Sequence, residues 1–286
     1  ESAIEDTVRV IEQEHQIDWS QMLDLIHLTN MEKSLKSQYQ DASNISSRIR
    51  LHKEYSTNSK GWFPWIFEHC KLKPNERVLE IGCGNGALWT ENLNHIPSNL
   101  SILLSDVSDG MLRDARRNLP SGDKRFSFAC FDCHSFPSSL SAFDLIIAHH
   151  VNDLPKVFKQ IQRALKKGGH FLCSTYGKHH MIEISELVQE FDSRIVLSAE
   201  KLYEQFGLEN GEALLKPYFS DVQCIRYEDS IELDRAEPLI EYILSCHGNQ
   251  NQMLLERYHE FRSFVEKKTS NGFHITKDAG IFLCTF

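Results

Sequence analysis

Acids and glycines stand together in this chain where they could do chemistry. Glu80 closes the apolar run Val78-Leu79-Glu80-Ile81, and Gly82, Gly84 and Gly86 follow at alternate positions around Cys83 and Asn85. Alternate glycines let a backbone turn sharply and let a ligand approach with no Cβ in the way. A second apolar run, Leu100 to Ser105, ends in Asp106 about 20 residues past the loop. A carboxylate there can accept from both hydroxyls of a ribose. Glu80 would repel a pyrophosphate but can receive the ammonium of an amino-acid moiety, directly or through water. The spacing E-x-G-x-G-x-G also departs from the dinucleotide fingerprint, whose last glycine serves helix–strand packing beside a pyrophosphate.

These residues need a sheet to hold them. Arg77 to Ile81 has the character of a buried parallel strand, and Ala87 to Asn94 reads as a helix opening on the glycine loop. Ser108 caps a further helix whose buried side carries Met111, Leu112, Ala115 and Leu119. A third strand, Arg125 to Phe131, ends at Asp132-Cys133. A fourth, Phe143 to Ala148, runs into His149-His150-Val151-Asn152-Asp153. Pro155 to Lys166 has helical spacing, Gly168-Gly169 ends it, and His170 to Tyr176 supplies a fifth strand. Strands and helices alternating in this way predict an α/β fold with a doubly wound parallel sheet, its ligands beyond the carboxyl ends of the strands.

The glycine motif with its two following acids resembles class I S-adenosylmethionine-dependent methyltransferases. The resemblance implies a seven-stranded Rossmann-like sheet, S-adenosylmethionine as cofactor and S-adenosylhomocysteine as product. It implies cofactor contacts from Glu80, Gly82, Cys83, Gly84, Gly86, Asp106, Val107, Met111 and His149. Asp132 matches the family acid that accepts from the adenine amino group, and the Cys133 backbone N–H would bind a ring nitrogen. The segment before the first strand often covers the cofactor in that family, so Tyr55, Ser56 and Asn58 are candidates for its methionine end. Trp62 and Trp65 could roof the pocket or simply pack the core. The fourth strand end faces the transferable methyl in the family, which makes His150, then His149, candidates for a general base or acceptor contact. One of two adjacent strand residues faces inward, and histidines lining a pocket without proton transfer are an equal reading. Tyr176 and His180 come next.

Composition narrows the setting. The 286 residues carry 25% charged and 41% apolar side chains, an ordinary globular balance. No apolar run approaches the roughly 20 residues that span a bilayer, so no membrane partner is expected. A net charge of −9 disfavours nonspecific nucleic-acid binding and tilts the acceptor to a small molecule. Eight cysteines sit mostly in apolar patterns, which suggests reduced thiols and a cytoplasmic location. Cys130-Phe131-Asp132-Cys133 has C-x-x-C spacing, but no second pair completes a zinc site and no metal is expected.

Helical spacing runs through Ile4, Val8, Ile11, Trp19, Met22, Leu23, Ile26 and Leu28. The stretch resembles the helical segment behind the DNA-binding domain of MerR-type regulators with a fused methyltransferase. Its eight acids against Arg9, Lys33 and Lys36 over residues 1–36 are wrong for reading DNA. Packing against the catalytic domain or, as a homodimer, against a second copy is the alternative. The division expected is 1–50 as an N-terminal helical segment and 51–286 as the methyltransferase domain. Within about 180–270, helices over Met181 to Phe191, Ala199 to Phe206, Glu212 to Lys216, Pro238 to Cys246 and Asn251 to Lys267 form a cap or a dimer contact. Asp221 to Leu233 and Ala279 to Phe286 supply the last two strands. The chain opens at Glu1, with no signal peptide visible. Two other functions fit less well: a noncatalytic S-adenosylmethionine-sensing module of a transcriptional regulator, and a nicotinamide-dependent oxidoreductase, which Glu80 and the glycine spacing disfavour.

Overall fold

Apolar runs buried on both faces make the centre of the sheet. A computed structural model describes residues 44–133, 142–149, 154–198, 201–246 and 248–286. The helical pattern of residues 1–36, its MerR-type resemblance and any dimer contact through it lie outside the described residues, as do His150 and Asp153. Helices α1 (Asn44–Tyr55) and α2 (Trp62–Cys70) precede strand β1 (Arg77–Ile81). The chain then forms α3 (Ala87–Thr90), β2 (Ser101–Asp106), α4 (Asp109–Asn118), β3 (Phe126–Cys130), β4 (Phe143–His149), α5 (Leu154–Ala164) and β5 (Leu165–Tyr176). Beyond it come α6 (Ile182–Phe191), α7 (Leu202–Gln205), α8 (Gly211–Leu215), β6 (Asp221–Tyr227) and β7 (Ser230–Leu233). The last elements are α9 (Glu237–Leu244), α10 (Gln250–Leu254), α11 (Tyr258–Thr269), β8 (Phe273–Thr276) and β9 (Ala279–Thr285).

Seven strands form one sheet in the order β3-β2-β1-β4-β5-β9-β6. The first five run parallel, and β9 is antiparallel to both β5 and β6. This is the mixed α/β, Rossmann-like methyltransferase sheet that the sequence predicts. Alternate residues divide its two faces. Leu79, Ile81, Ile146, Ala148, Phe171 and Cys173 join the core under α5 and α8. Val78, Leu145, Ile147 and Leu172 join the core under α2, α3 and α4 with Ile66, Trp89 and Leu112.

Several boundaries differ from the expectation. The helix after the glycine loop is only four residues long, followed by one 3₁₀ turn at Leu93–His95. The expected helix to Lys166 stops at Ala164, and β5 begins at once. Gly168, with φ +76°, sits inside the irregular start of that strand, where pairing jumps from Phe143↔Leu165 to Leu145↔His170. Asn251 to Lys267 is two helices, α10 and α11. Asp221 to Leu233 is two strands, of which β7 pairs not with the main sheet but with β8.

The cap has its own core. Leu51 from α1 packs with Ile184, Leu187 and Val188 of α6, Leu239, Ile240 and Ile243 of α9, Phe261 and Val265 of α11, and Ile231 and Ile275 of the small sheet. Leu51 is fully buried, so α1 runs through the boundary expected at residue 50 and belongs with this unit.

Candidate active site

The glycine loop is built by backbone geometry that other residues resist. Gly82, Gly84 and Gly86 have φ of +74°, +54° and +79°. A Cβ at Gly82 would lie 3.1 Å from the carbonyl oxygen of His149, and one at Gly86 would lie 3.3 Å from the Ala115 Cβ. Gly84 differs: a Cβ there would meet nothing within 4 Å. The outer glycines thus seat the loop against β4 and α4, while the middle one faces open space. The Gly82 and Cys83 N–H groups both donate to the Ser105 carbonyl at 2.9 Å, and Ser105 Oγ donates to the Glu80 carbonyl at 2.8 Å. Ser105 thereby ties β2 to the loop, a role its sequence position did not reveal.

Asp106 ends β2 half-buried. Its Oδ2 accepts from the Gly84 N–H at 3.0 Å and its Oδ1 from the Ser108 N–H at 2.8 Å. Each oxygen keeps a further lone pair for a hydroxyl donor. Ser108 caps α4 as expected, its Oγ accepting from the Met111 N–H at 3.3 Å. Val107 between them is 75% exposed. Asp132 is exposed and Cys133 half-buried in the turn after β3, and Cys130 pairs in register with Asp106.

Glu80 is 1% exposed and points to the same sheet face as Val78. The fully buried Trp89 donates its indole N–H to Oε2 at 2.6 Å. On β4, His149 shares this face with Leu145 and Ile147, and on β5 Ser174 shares it with Leu172. Those two residues are register partners, with His149 Nδ1 2.8 Å from Ser174 Oγ. His149 Nε2 is buried, 3.2 Å from Glu80 Oε1, but off the line of a hydrogen bond. Burial first, then the Glu80 carboxylate, pushes the thiols of Cys70 and Cys83 well above the usual range and keeps them protonated. Trp89 and Ser174 were not among the sequence candidates. An indole nine residues past a buried acid, whose N–H needs a partner once buried, is the signal that could have found the first.

The remaining candidates gather farther along the carboxyl edge. Tyr176 and His180 stack at 4.1 Å between ring centroids. Trp62, Trp65 and Tyr227 form a second aromatic group, with centroids 5.1–5.5 Å apart. Tyr55 packs on the cap core with the Arg235 guanidinium 5.9 Å from its ring centroid. Ser56 and Asn58 are held by the turn after β6: Ser56 Oγ donates to Asp229 Oδ2 at 2.5 Å, the Asn58 N–H to Asp229 Oδ1 at 2.9 Å, and Asn58 Nδ2 to the Glu228 carbonyl at 2.9 Å. The structure therefore engages Tyr55, Ser56 and Asn58 with the cap and the sheet edge. Among the described residues no group of three or more His, Cys, Asp or Glu side chains is placed to hold a metal ion, and no helix is long and apolar enough to cross a membrane.

Residues 72–222 match the family described as Methyltransferase domain, and this span holds the glycine loop, Asp106 and the end of β4. The chain belongs to that family. Its sheet order is that of a Rossmann-like methyltransferase fold, and the nicotinamide alternative has no support. The biotin biosynthesis bifunctional protein BioHC of Saccharophagus degradans is 29% identical over 44% of this chain and 23% of its own length. The ubiquinone/menaquinone biosynthesis C-methyltransferase UbiE of Proteus mirabilis is 24% identical over 47% of this chain and 56% of its own. The chain thus spans less than two thirds of these curated relatives. Phosphoethanolamine N-methyltransferase 2 of Haemonchus contortus, solved with phosphomonomethylethanolamine and S-adenosylhomocysteine, shares the fold at TM-score 0.51 and 19% identity, covering 87% of this methyltransferase and 58% of that chain.

Proposed function

We propose that this methyltransferase moves the methyl group of S-adenosylmethionine to a small-molecule acceptor held between the carboxyl ends of β4 and β5 and the cap. One observation carries the reading. Glu80 and Asp106 stand at the ends of adjacent strands on one sheet face, and Gly84, the loop glycine with open space beyond it, donates its N–H to Asp106. Glu80 fits the cofactor's ammonium, and Asp106 its ribose hydroxyls. The exposed Val107, with Met111, Asp132 and Cys133 beyond it, fits the adenine. The sulfonium supplies an electrophilic methyl carbon when the cofactor is bound. What the chain contributes is placement and exclusion of water, which can supply roughly 7–11 kcal/mol in well-aligned systems.

The acceptor side is more individual. The related proteins are named for unlike acceptors, a quinone-pathway carbon in one and a phosphoethanolamine nitrogen in another. Such variety on one fold is expected when the residues around the cofactor stay and the surrounding elements change. Here those elements are the Tyr176–His180 stack, the Trp62–Trp65–Tyr227 group and the cap. His150 at the fourth strand end stays a candidate acceptor contact, with proton abstraction required only if the nucleophile must lose a proton.

The test is incubation with methyl-labelled S-adenosylmethionine and a fractionated small-molecule extract, followed by identification of the labelled product. Label in a low-mass product supports the reading. Label confined to protein or nucleic acid, or none transferred by folded protein, counts against it.

A further inference from the structure

The half-buried His149 on β4 lies between Glu80 on β1 and Ser174 on β5. Its Nδ1 is 2.8 Å from the Ser174 hydroxyl, and its Nε2 is 3.2 Å from the Glu80 carboxylate but off the line of a hydrogen bond. A carboxylate only accepts, so a proton on Nε2, the His149 nitrogen 3.2 Å from Glu80 Oε1, is the one that suits this contact. The other nitrogen, Nδ1, lies 2.8 Å from Ser174 Oγ, a hydroxyl that can donate. In the tautomer with Nε2–H toward Glu80, Nδ1 accepts from the Ser174 hydroxyl. Trp89 donates to the other oxygen of the same carboxylate, Oε2. In that tautomer the Nδ1 lone pair faces Ser174 and not an acceptor's proton.

We propose that His149 is a positioning residue for the amino-acid end of the cofactor, acting through Glu80, and not a general base. This rests on the reading that Glu80 receives the cofactor's ammonium. Nε2 is buried and off the hydrogen-bond line, so a small turn of the ring aligns it once an ammonium draws Glu80 into place. Ser174 holds the tautomer that keeps the N–H toward the acid. The other titratable groups facing Glu80 are the thiols of Cys70 on α2 and Cys83 in the loop, which remain protonated beside it.

The test compares two ligands that differ at one end. S-adenosylhomocysteine has the amino-acid moiety; methylthioadenosine lacks it. By calorimetry, His149→Leu weakens S-adenosylhomocysteine roughly 10–100-fold, the span for a hydrogen bond to a charged group, and leaves methylthioadenosine within about twofold. His149→Gln, which keeps an N–H donor near the same carboxylate, recovers most of the loss. Nitrogen-15 spectra of the wild-type protein near neutral pH show Nε2 protonated and Nδ1 bare. Equal losses for both ligands, no loss for either, no rescue by glutamine, or the opposite tautomer would each overturn the proposal. If His149→Leu fails to fold, Ser174→Ala carries the same comparison: a selective loss for S-adenosylhomocysteine supports the proposal, and any other pattern overturns it. Wild-type protein that binds methylthioadenosine but shows no gain from the amino-acid end contradicts the Glu80 reading itself.

Discussion

Lys277 and Asp229 form an ion pair at the carboxyl edge of the sheet with 8% and none of their side-chain surface exposed. The same carboxylate accepts from Ser56 Oγ and from the N–H groups of Asn58 and Ser230, so one acid pins the turn between α1 and α2 to the turn between β6 and β7. Removing one partner of a buried pair leaves the other charge uncompensated, at a cost of about 3–5 kcal/mol. Lys277→Met should therefore lower the free energy of unfolding in denaturant by that amount. A loss under about 1 kcal/mol, the range of a surface pair, would show the pair to be solvated.

Tyr227, beside that pair, links stability to pH. Burial, then the Asp229 carboxylate, pushes its phenol up to about 12, against about 10 for a free tyrosine. The stability that goes with this is present in full below about pH 10 and is lost as pH rises toward about 12, because only the unfolded chain ionises in that window. Tyr227→Phe should flatten this alkaline decline in denaturant titrations relative to wild type. Parallel declines in the two proteins would place the phenol in solvent.

Gly84 separates fold from ligand binding. A side chain at φ +54° costs about 1–2 kcal/mol of backbone strain, and nothing in the protein blocks it. Gly84→Val should thus leave a folded protein, only modestly less stable, that no longer takes up S-adenosylhomocysteine. Gly82→Val, driven against the His149 carbonyl 3.1 Å away, should instead damage the fold. Thermal melts and calorimetry on both variants distinguish the cases, and intact cofactor affinity in Gly84→Val would remove that glycine from the site.

The cap is the proposed determinant of acceptor choice. Leu51, fully buried, joins α1 to α9 and α11, and Leu51→Ala should cost about 2–5 kcal/mol. Excising Pro238 to Lys267 would expose this whole core, so surface substitutions facing the sheet edge are the cleaner test. Variants at His180 should alter acceptor preference while S-adenosylhomocysteine affinity stays within about twofold, and a larger change in cofactor affinity would move His180 into the cofactor site.

Legibility in the sequence followed the physics of each element. Strands β1, β2 and β4 are covered on both faces and read as continuous apolar runs, so Glu80, Asp106 and His149 could be placed at strand ends from the sequence. The four-residue β8 is too short to show a period, and its pairing with β7 spans residues far apart in the chain. The same distance hid the partners of Ser56 and Asn58, which lie some 170 positions away at Asp229. Their hydroxyl and amide groups suggested a ligand, and the fold also hydrogen-bonds them to the turn after β6. Glu80 was recognisable as an acid before a glycine loop, but Trp89 and Ser174, which surround its side of the site, come from other elements and carry no motif.

The central claim is that Glu80, the glycine loop and Asp106 form the S-adenosylmethionine site. Calorimetric titration of S-adenosylhomocysteine into the full chain and into Asp106→Ala tests it most directly. The account predicts saturable binding to the wild-type protein, weakened in the variant by about 1.5–3 kcal/mol through the loss of charge-assisted hydrogen bonds. Folded wild-type protein that binds no S-adenosylhomocysteine, or an Asp106→Ala variant that binds it as tightly as wild type, would contradict the account.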